Sequence, residues 1–259
     1  MEQMEALDRI LNQVKINGAN MSSSNYKCSK CKDTTWIAGE EGAYTRCSCY
    51  TEEYLSRLWE NFGVRIQDIK LLKDYKPYNE LTQKAREKAA DYIMNFDEIQ
   101  GDRENGFALL GQPGAGKTHI VLAIGKALLE KQIQVVYMPY LEVIKELKAL
   151  AMYQEDYEKL LNRYTRAKVL IIDDLFKDKV KKGRIMAELS ETDMKHIYPI
   201  LNYRYLNYLP TIISSECTPN MLLDLDEALG GRILETTGPR FSLTFKGECN
   251  YRLRKFMKE

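Results

Sequence analysis

The segment Gly111–Thr118 restricts the fold of this chain more than any other feature. Its sequence, Gly-Gln-Pro-Gly-Ala-Gly-Lys-Thr, fits the pattern G-x-x-x-x-G-K-[ST]. It directly follows an apolar stretch, Phe107 to Leu110, and directly precedes a helical pattern, Lys117 to Glu130. Glycines let such a loop curl so that successive backbone N–H groups face a phosphate, while the helix that follows points its positive end at the same place. The sequence therefore predicts a phosphate-binding loop between a strand and a helix.

The chemistry of the loop predicts an ATP site with magnesium. Lys117 is expected to reach the β and γ phosphates, and the Thr118 hydroxyl is expected to ligate Mg²⁺. The residues expected to bind the nucleotide are Gly111, Gln112, Pro113, Gly114, Ala115, Gly116, Lys117, Thr118 and His119. His119 and His196 each lie within a helical pattern, and a structural role is the simpler interpretation of both.

A second segment, Val169-Leu-Ile-Ile-Asp173-Asp174, has the pattern of a buried strand that ends in two carboxylates. We expect Asp173 to hold magnesium, directly or through water, and Asp174 to orient the attacking water. The alternative is an acidic strand end at a solvated turn. Together with the glycine-rich loop, the pair predicts an enzyme that hydrolyses ATP.

Helical and apolar strand patterns alternate from about residue 80 onward. Helices are expected at residues 82–96, 117–130, 193–205 and 226–234 and in stretches between 140 and 166, and strands at 107–110, 135–138, 169–172, 211–214 and 241–245. This alternation predicts an α/β fold in which a mostly parallel sheet is covered by helices on both faces. It is the fold class of the P-loop NTPases.

Composition excludes some classes of protein and leaves others open. The 259 residues suffice for one α/β core with a small appended module, and the net charge of +1 gives no sign of a nucleic-acid partner. No apolar run approaches the roughly 20 residues of a membrane helix, and the first residues lack the plan of a signal peptide. A cytoplasmic protein without a membrane partner is expected.

The cysteines predict a metal site near the N-terminus. Cys28 and Cys31 form C-x-x-C, and Cys47 and Cys49 form C-x-C after a spacer of 15 residues. Two such pairs can supply a tetrahedral Zn²⁺ site, although reduced thiols in a small core and a redox pair are alternatives. We expect residues 1–62, including an amphipathic helix at 2–16, to form a zinc-binding module, and residues 63–259 to form the ATPase domain. Cys217 and Cys249 have no cysteine near them in the sequence, which favours buried thiols over metal ligands.

The order of these motifs resembles the AAA+ ATPases, and within them the helicase loaders of the DnaC and DnaI type. The residues that support the resemblance are Gly-Gln-Pro-Gly-Ala-Gly-Lys-Thr-His, Ile-Ile-Asp-Asp-Leu-Phe, Tyr-Pro-Ile-Leu-Asn-Tyr-Arg-Tyr, Leu-Pro-Thr-Ile-Ile-Ser-Ser-Glu and Leu-Gly-Gly-Arg-Ile-Leu-Glu. The resemblance implies that Ser215 or Glu216 senses the γ-phosphate. It also implies that Arg232 is an arginine finger for a neighbouring subunit, and that Arg252, with Arg254 as a rival, is a second sensor.

The resemblance further implies a function and its partners. The expected function is an ATP-dependent helicase loader that binds a hexameric replicative helicase through its zinc module, self-associates through its ATP sites and helps to place the helicase on single-stranded DNA. Because Asp174 is shorter than the glutamate common at its position, slow, switch-like hydrolysis is expected. A transposition helper of the IstB type is the first alternative, and a small-molecule phosphotransferase is the second.

A basic cluster and nearby tyrosines are candidates for the DNA surface. The cluster consists of Lys177, Lys179, Lys181, Lys182 and Arg184, and the tyrosines are Tyr198, Tyr203, Tyr205 and Tyr208. Lysines could contact phosphates while tyrosine rings stack on bases. A solvated charged loop and a packing face are the alternatives.

Overall fold

A computed structural model of the chain describes residues 26–39, 43–64, 69–247 and 250–251. The predicted helix at residues 2–16 lies outside these ranges, as do Arg252, Arg254 and Cys249. The chain divides into two compact units, the first ending at Arg57 and the second beginning at Leu58.

The described part of the first unit is a small hairpin followed by a helix. Strands β1 (Trp36–Ala38) and β2 (Tyr44–Arg46) pair antiparallel, with Ile37 opposite Thr45. Helix α1 (Ser48–Phe62) begins two residues after β2 and continues into the second unit. The Arg46 guanidinium lies 3.9 Å from the centre of the Trp36 ring and 4.1 Å from that of Tyr50, so cation–π contacts join the hairpin to the start of the helix.

The second unit is built on a five-stranded parallel sheet. Its strands are β3 (Phe107–Gly111), β4 (Val135–Pro139), β5 (Val169–Leu175), β8 (Thr211–Ser215) and β9 (Ser242–Phe245), in the spatial order β4-β5-β8-β3-β9. All four neighbouring pairs are parallel, which confirms the predicted fold class. Since β3 lies between β8 and β9 and β8 lies next to β5, the carboxyl ends of β5, β8 and β3 stand side by side. Ligands of open α/β sheets bind at this edge.

The predicted helices of the second unit are all present, several of them with longer ends, and one helix of seven residues, Pro219–Leu225, was not predicted. The helices are α2 (Glu80–Ile99), α3 (Lys117–Glu130), α4 (Tyr140–Ala149), α5 (Gln154–Thr165), α6 (Glu191–Leu206), α7 (Pro219–Leu225) and α8 (Glu227–Phe241). The side chain of Asn79 accepts a hydrogen bond from the Thr82 N–H and caps α2, which is why that helix begins before residue 82. None of the helices in the described ranges combines the length and the apolar composition that a membrane span requires.

A short irregular excursion separates β5 from α6. A 3₁₀ turn (Lys177–Lys179) leads into a hairpin of β6 (Val180–Lys181) and β7 (Arg184–Ile185). Strands of two residues are too short to produce a period in the sequence, which is why this hairpin was expected only as a loop.

Candidate functional site

The loop Gly111–Thr118 has the curled backbone that a phosphate cradle requires. Gly111, Gly114 and Gly116 all have positive φ angles, of 88°, 81° and 83°. Residues that carry a side chain rarely adopt this backbone conformation. In addition, a Cβ at residue 116 would stand only 2.7 Å from Cε2 of Tyr75. Gly116 is the N-cap of α3, so the loop leads directly into a helix N-terminus. This arrangement can hold phosphate groups through backbone N–H groups and the helix dipole.

The side chain of Lys117 lies folded against its own loop. Its ammonium donates to the carbonyl oxygens of Gly111 and Gln112, each at 2.8 Å, and the residue is only 6% exposed. The charge therefore already stands within the curl of the loop.

Asp173 lies at the centre of a network of hydroxyl groups. Thr118 donates to its Oδ1 at 3.0 Å, Tyr137 donates to Oδ2 at 2.8 Å, and Ser214 also donates to Oδ1. Burial, together with the charge of Asp173, raises the pKa of Tyr137 well above its usual range, so that its hydroxyl stays protonated and remains a donor. The network fixes the carboxylate of a residue that is 6% exposed.

The oxygens of Thr118 and Asp173 fit a magnesium ion. Mg²⁺ takes oxygen ligands at about 2.1 Å in octahedral geometry, which places adjacent ligands about 3.0 Å apart. The distance between Thr118 Oγ1 and Asp173 Oδ1 is 3.0 Å. These two side chains would therefore hold the ion next to the phosphate loop.

A bulge near the end of β5 includes Asp174. The pairing of β5 with β8 shifts register between Ile172 and Leu175, and Asp174 has φ 56°. Its N–H donates to Ser214 Oγ at 3.0 Å, and its side chain lines the cavity beside the phosphate loop. Left-handed non-glycine residues cluster where a structure stores strain for function. The bulge thus accompanies a side chain that lines the cavity beside the phosphate loop.

The structure separates the roles of the three polar residues at the end of β8. The hydroxyl of Ser215 donates to the Leu175 carbonyl at 2.6 Å and accepts from the Cys217 N–H at 3.1 Å, and the residue is fully buried. Glu216, in contrast, lines the cavity. Ser214 contacts Asp173, a role that the sequence did not indicate. Of the two candidate sensors, Glu216 is therefore the residue that faces the phosphate site.

The cavity has a volume of about 630 Å³ and an aromatic side that the sequence did not reveal. Tyr75, Tyr78 and Tyr251 line it, with Lys70 and Lys76 nearby. The Tyr75 hydroxyl donates to the Ala115 carbonyl at 2.8 Å, and the Tyr251 N–H donates to the Gly114 carbonyl at 3.0 Å. Tyrosine rings can receive the base of a nucleotide, as cofactor sites commonly use aromatic linings. The tyrosine-rich stretch 75–78, just before α2, was the only available signal.

His119 borders this side of the cavity. Its Nε2 lies 3.1 Å from the Leu71 carbonyl, and its ring stands edge-on to Tyr75 at 5.4 Å between centroids. Both contacts hold the segment around residues 71–75 against α3. This agrees with a structural role for a residue that also lines the cavity.

Arg232 packs on α6 rather than on the cavity of its own subunit. Its guanidinium lies 5.3 Å from the ring centroids of both Tyr198 and Tyr205. Within the described ranges, its Nη1 is buried and makes no hydrogen bond. These tyrosines are therefore occupied by an arginine and do not present two open stacking faces.

The basic cluster is divided between ion pairs and solvent. Lys179 is 8% exposed and pairs with Asp193 at 2.7 Å and Asp178 at 2.9 Å, and Lys177 pairs with Glu216. Lys181, Lys182 and Arg184 are exposed on the β6–β7 hairpin. Two of the five cations thus neutralise carboxylates, and the DNA surface remains a prediction for the three exposed ones.

The four cysteines of the first unit converge. Their sulfur atoms all lie within 4.8 Å of one another, with 3.7 Å between Cys28 and Cys47 and 3.4 Å between Cys31 and Cys49. Four thiolates about 2.3 Å from a zinc ion stand about 3.8 Å apart, so the cluster fits Zn²⁺.

Neighbouring groups shift the pKa values of two of these thiols in opposite directions. Hydrogen bonds from the backbone N–H groups of Cys31 and Lys30 lower the pKa of Cys28 to about 7. The hydrogen bond with Cys31, followed by burial, raises the pKa of Cys49 well above its usual range. A cation that binds thiolates would relieve this conflict between neighbouring sulfurs.

Comparisons with known proteins agree with this geometry. A family model described as "IstB-like ATP binding protein" matches residues 63–218. The phage-like element PBSX protein XkdC of Bacillus subtilis (strain 168) is 35% identical over 248 residues, which cover 91% of this chain and 89% of XkdC. The uncharacterized protein YqaM of the same organism is 38% identical over 213 residues, or 80% of this chain and 64% of YqaM.

A solved structure shares the fold. The crystal structure of the DnaC helicase loader superimposes with a TM-score of 0.56 and 26% identity, covering 73% of this chain and 99% of that chain.

Proposed function

Because the chain belongs to the IstB-like ATP binding protein family, we propose that it is an ATP-dependent loader of a replicative DNA helicase. The observation that supports this best is the fold shared with the DnaC helicase loader along 99% of that chain, in a domain whose phosphate loop and Asp174 line one cavity. The proposal includes a cytoplasmic location and transient contact with single-stranded DNA.

The residues of the second unit would bind and hydrolyse ATP as follows. Lys117 would exchange the loop carbonyls for the β and γ phosphates. Thr118 and Asp173 would hold Mg²⁺, which supplies neutralising charge to the phosphates when bound. Asp174, which lines the same cavity as the loop, would orient the water for attack. Its short side chain favours slow turnover, which suits a protein whose assembly state is switched by ATP.

Arg232 and the residues beyond Tyr251 complete the proposal. Arg232 would stabilise the phosphates bound by a neighbouring subunit, which couples ATP to self-association. Its packing between Tyr198 and Tyr205 would hold the guanidinium at the surface of α8 until such a neighbour arrives. Arg252 remains the predicted second sensor.

The first unit would attach the helicase. Four cysteines that hold Zn²⁺ would stabilise a module with few apolar residues, and such a module offers a rigid docking surface. The zinc site then serves binding rather than catalysis.

The direct test mixes the full chain with the hexameric replicative helicase of its source. Gel filtration with light scattering would compare ATPγS, ADP and no nucleotide, and a second assay would measure helicase delivery to single-stranded circles. We expect a complex, and delivery that depends on ATP. The K117A variant should fail in delivery because it cannot bind ATP. Absence of a complex with the helicase in all three nucleotide conditions would disprove the proposed loader function.

A transposition helper of the IstB type is the second candidate, favoured by the description of the family model. The same preparation should then bind double-stranded DNA and a transposase in the presence of ATP, and should not bind the helicase.

A further inference from the structure

An ion pair joins the ends of two neighbouring strands inside the proposed ATP site. Leu175 of β5 stands opposite Ser215 of β8. Lys177 follows two residues after the first and Glu216 directly after the second, and their side chains pair. Both line the same cavity as Lys117. The pair therefore belongs to the lining of the cavity that contains the phosphate loop.

Neighbouring residues place this pair beside the γ-phosphate. Thr118 and Asp173 mark the magnesium position, and magnesium bridges the β and γ oxygens in ATP sites of this kind. Asp174 lines the cavity and bonds through its N–H to Ser214, two residues before Glu216. The terminal phosphate would thus meet the ends of β5 and β8, where the ion pair stands.

A carboxylate at this place presents an electrostatic problem. The side chain of Glu216 is 10% exposed, so water screens its charge poorly. Alone it would repel the negative charge that distinguishes ATP from ADP, because Coulomb energy rises steeply at short range and low dielectric. Lys177 cancels that charge, and with its side chain 35% exposed it keeps room to turn toward a ligand.

We propose that Lys177 is a γ-phosphate ligand and that Glu216 positions it, so that the pair makes the site discriminate ATP from ADP. The ammonium would be shared between the Glu216 carboxylate and the terminal phosphate. In ADP complexes it would remain with Glu216 alone. This inference rests on the proposed ATP site and names a second cation, besides Lys117, that would contact the third phosphate within one subunit.

Calorimetric titration of the full chain with Mg²⁺–ATPγS and Mg²⁺–ADP tests the proposal. K177A leaves Glu216 unpaired, and we expect its ATPγS affinity to fall at least about tenfold while ADP affinity changes less than about threefold. E216Q keeps a side-chain acceptor for the Lys177 ammonium and removes the repelling charge, so it should keep or increase the preference for ATPγS. The double variant K177A/E216Q should recover much of the loss, because the repelling carboxylate is gone, and K177R should retain the preference.

Two controls separate this role from a structural one. K181A removes an exposed lysine of the adjacent hairpin and should leave both affinities unchanged. Thermal unfolding identifies any variant that fails to fold. If K177A does not fold, the preference for ATPγS expected in K177R and E216Q becomes the test of the proposal. Equal loss of ATPγS and ADP affinity in K177A, or no change in their ratio, would overturn the proposal. A wild-type chain that binds neither nucleotide would instead overturn the proposed ATP site itself.

Discussion

Arg204 is a buried cation whose replacement tests how the sheet that supports the ATP site is held together. The residue is 1% exposed. Its Nε donates to Thr211 Oγ1 at 2.9 Å, Nη1 to the Ala167 carbonyl at 2.7 Å, and Nη2 to the Pro210 carbonyl at 2.6 Å. Nη1 also lies 3.2 Å from the Tyr164 carbonyl. One guanidinium thus joins the segments that lead into β5 and β8.

The expected effect of R204M follows from these contacts. Burial lowers the pKa of Arg204 to about 9, so the group is still charged at pH 7 and its hydrogen bonds are charge-assisted. Methionine fills the space but removes at least three hydrogen bonds from a charged donor. Because such bonds contribute about 1.5–3 kcal/mol each and are not fully additive, the loss should be about 3–5 kcal/mol. At about 2–4 °C per kcal/mol for a domain of this size, the melting temperature should fall by about 6–20 °C.

Urea unfolding followed by circular dichroism measures the effect. R204K keeps the charge with fewer donors and should lose an intermediate amount. R184M, at an exposed site on the β6–β7 hairpin, should stay within about 0.5 kcal/mol of the wild type. If R204M unfolds within about 1 kcal/mol of the wild type, the hydrogen bonds of Arg204 do not stabilise the sheet as argued.

Three further outcomes are expected. D174N should bind ATP normally but hydrolyse it about 100-fold or more slowly in a phosphate-release assay, and normal turnover would contradict its role. The purified chain should contain about one zinc ion by elemental analysis, and C47S should lose it, because its sulfur belongs to the converging four. Burial would raise the pKa of Asp193, but hydrogen bonds from Lys148, Lys179 and Ser190 hold it well below its usual range. The stability that the Asp193 carboxylate provides is therefore present above about pH 4 and lost as the pH falls through the folded pKa. In urea titrations D193N should be clearly less stable than the wild type at pH 7, and this difference should shrink below about pH 4. A difference that stays constant with pH would contradict this reasoning.

Regular elements were predictable where the apolar period was long. The helix at 117–130 agrees with the structure at both ends, and every predicted strand of the sheet is present. Short elements and breaks were not predictable. The hairpin β6–β7 has two residues in each strand, and α8 continues to Phe241 across a break at Gly238, where φ is 52° and ψ is 174°.

Parts of the candidate site were predictable where a single segment of the chain supplies the residue types typical of one kind of ligand site. The phosphate loop, the paired Asp173 and Asp174 and the two cysteine pairs are local patterns. Their residue types are chemically uncommon enough to indicate their ligands. The aromatic side of the cavity was missed because Tyr75 and Tyr251 come from segments far apart in the chain, and tyrosines are common in packed cores.

The sequence alone determined that this chain has a phosphate loop, a carboxylate-ended strand beside it and four thiols at metal-ligand spacing, because each depends on neighbours along the chain. Only the tertiary structure decided which polar residue at or just after the end of β8 lines the cavity, that Lys177 pairs with Glu216, and that Lys179 pairs with Asp193. These outcomes depend on strand order, on the register of β5 against β8 and on one bulge. A register shift changes which side chains meet between strands, and no local pattern records it.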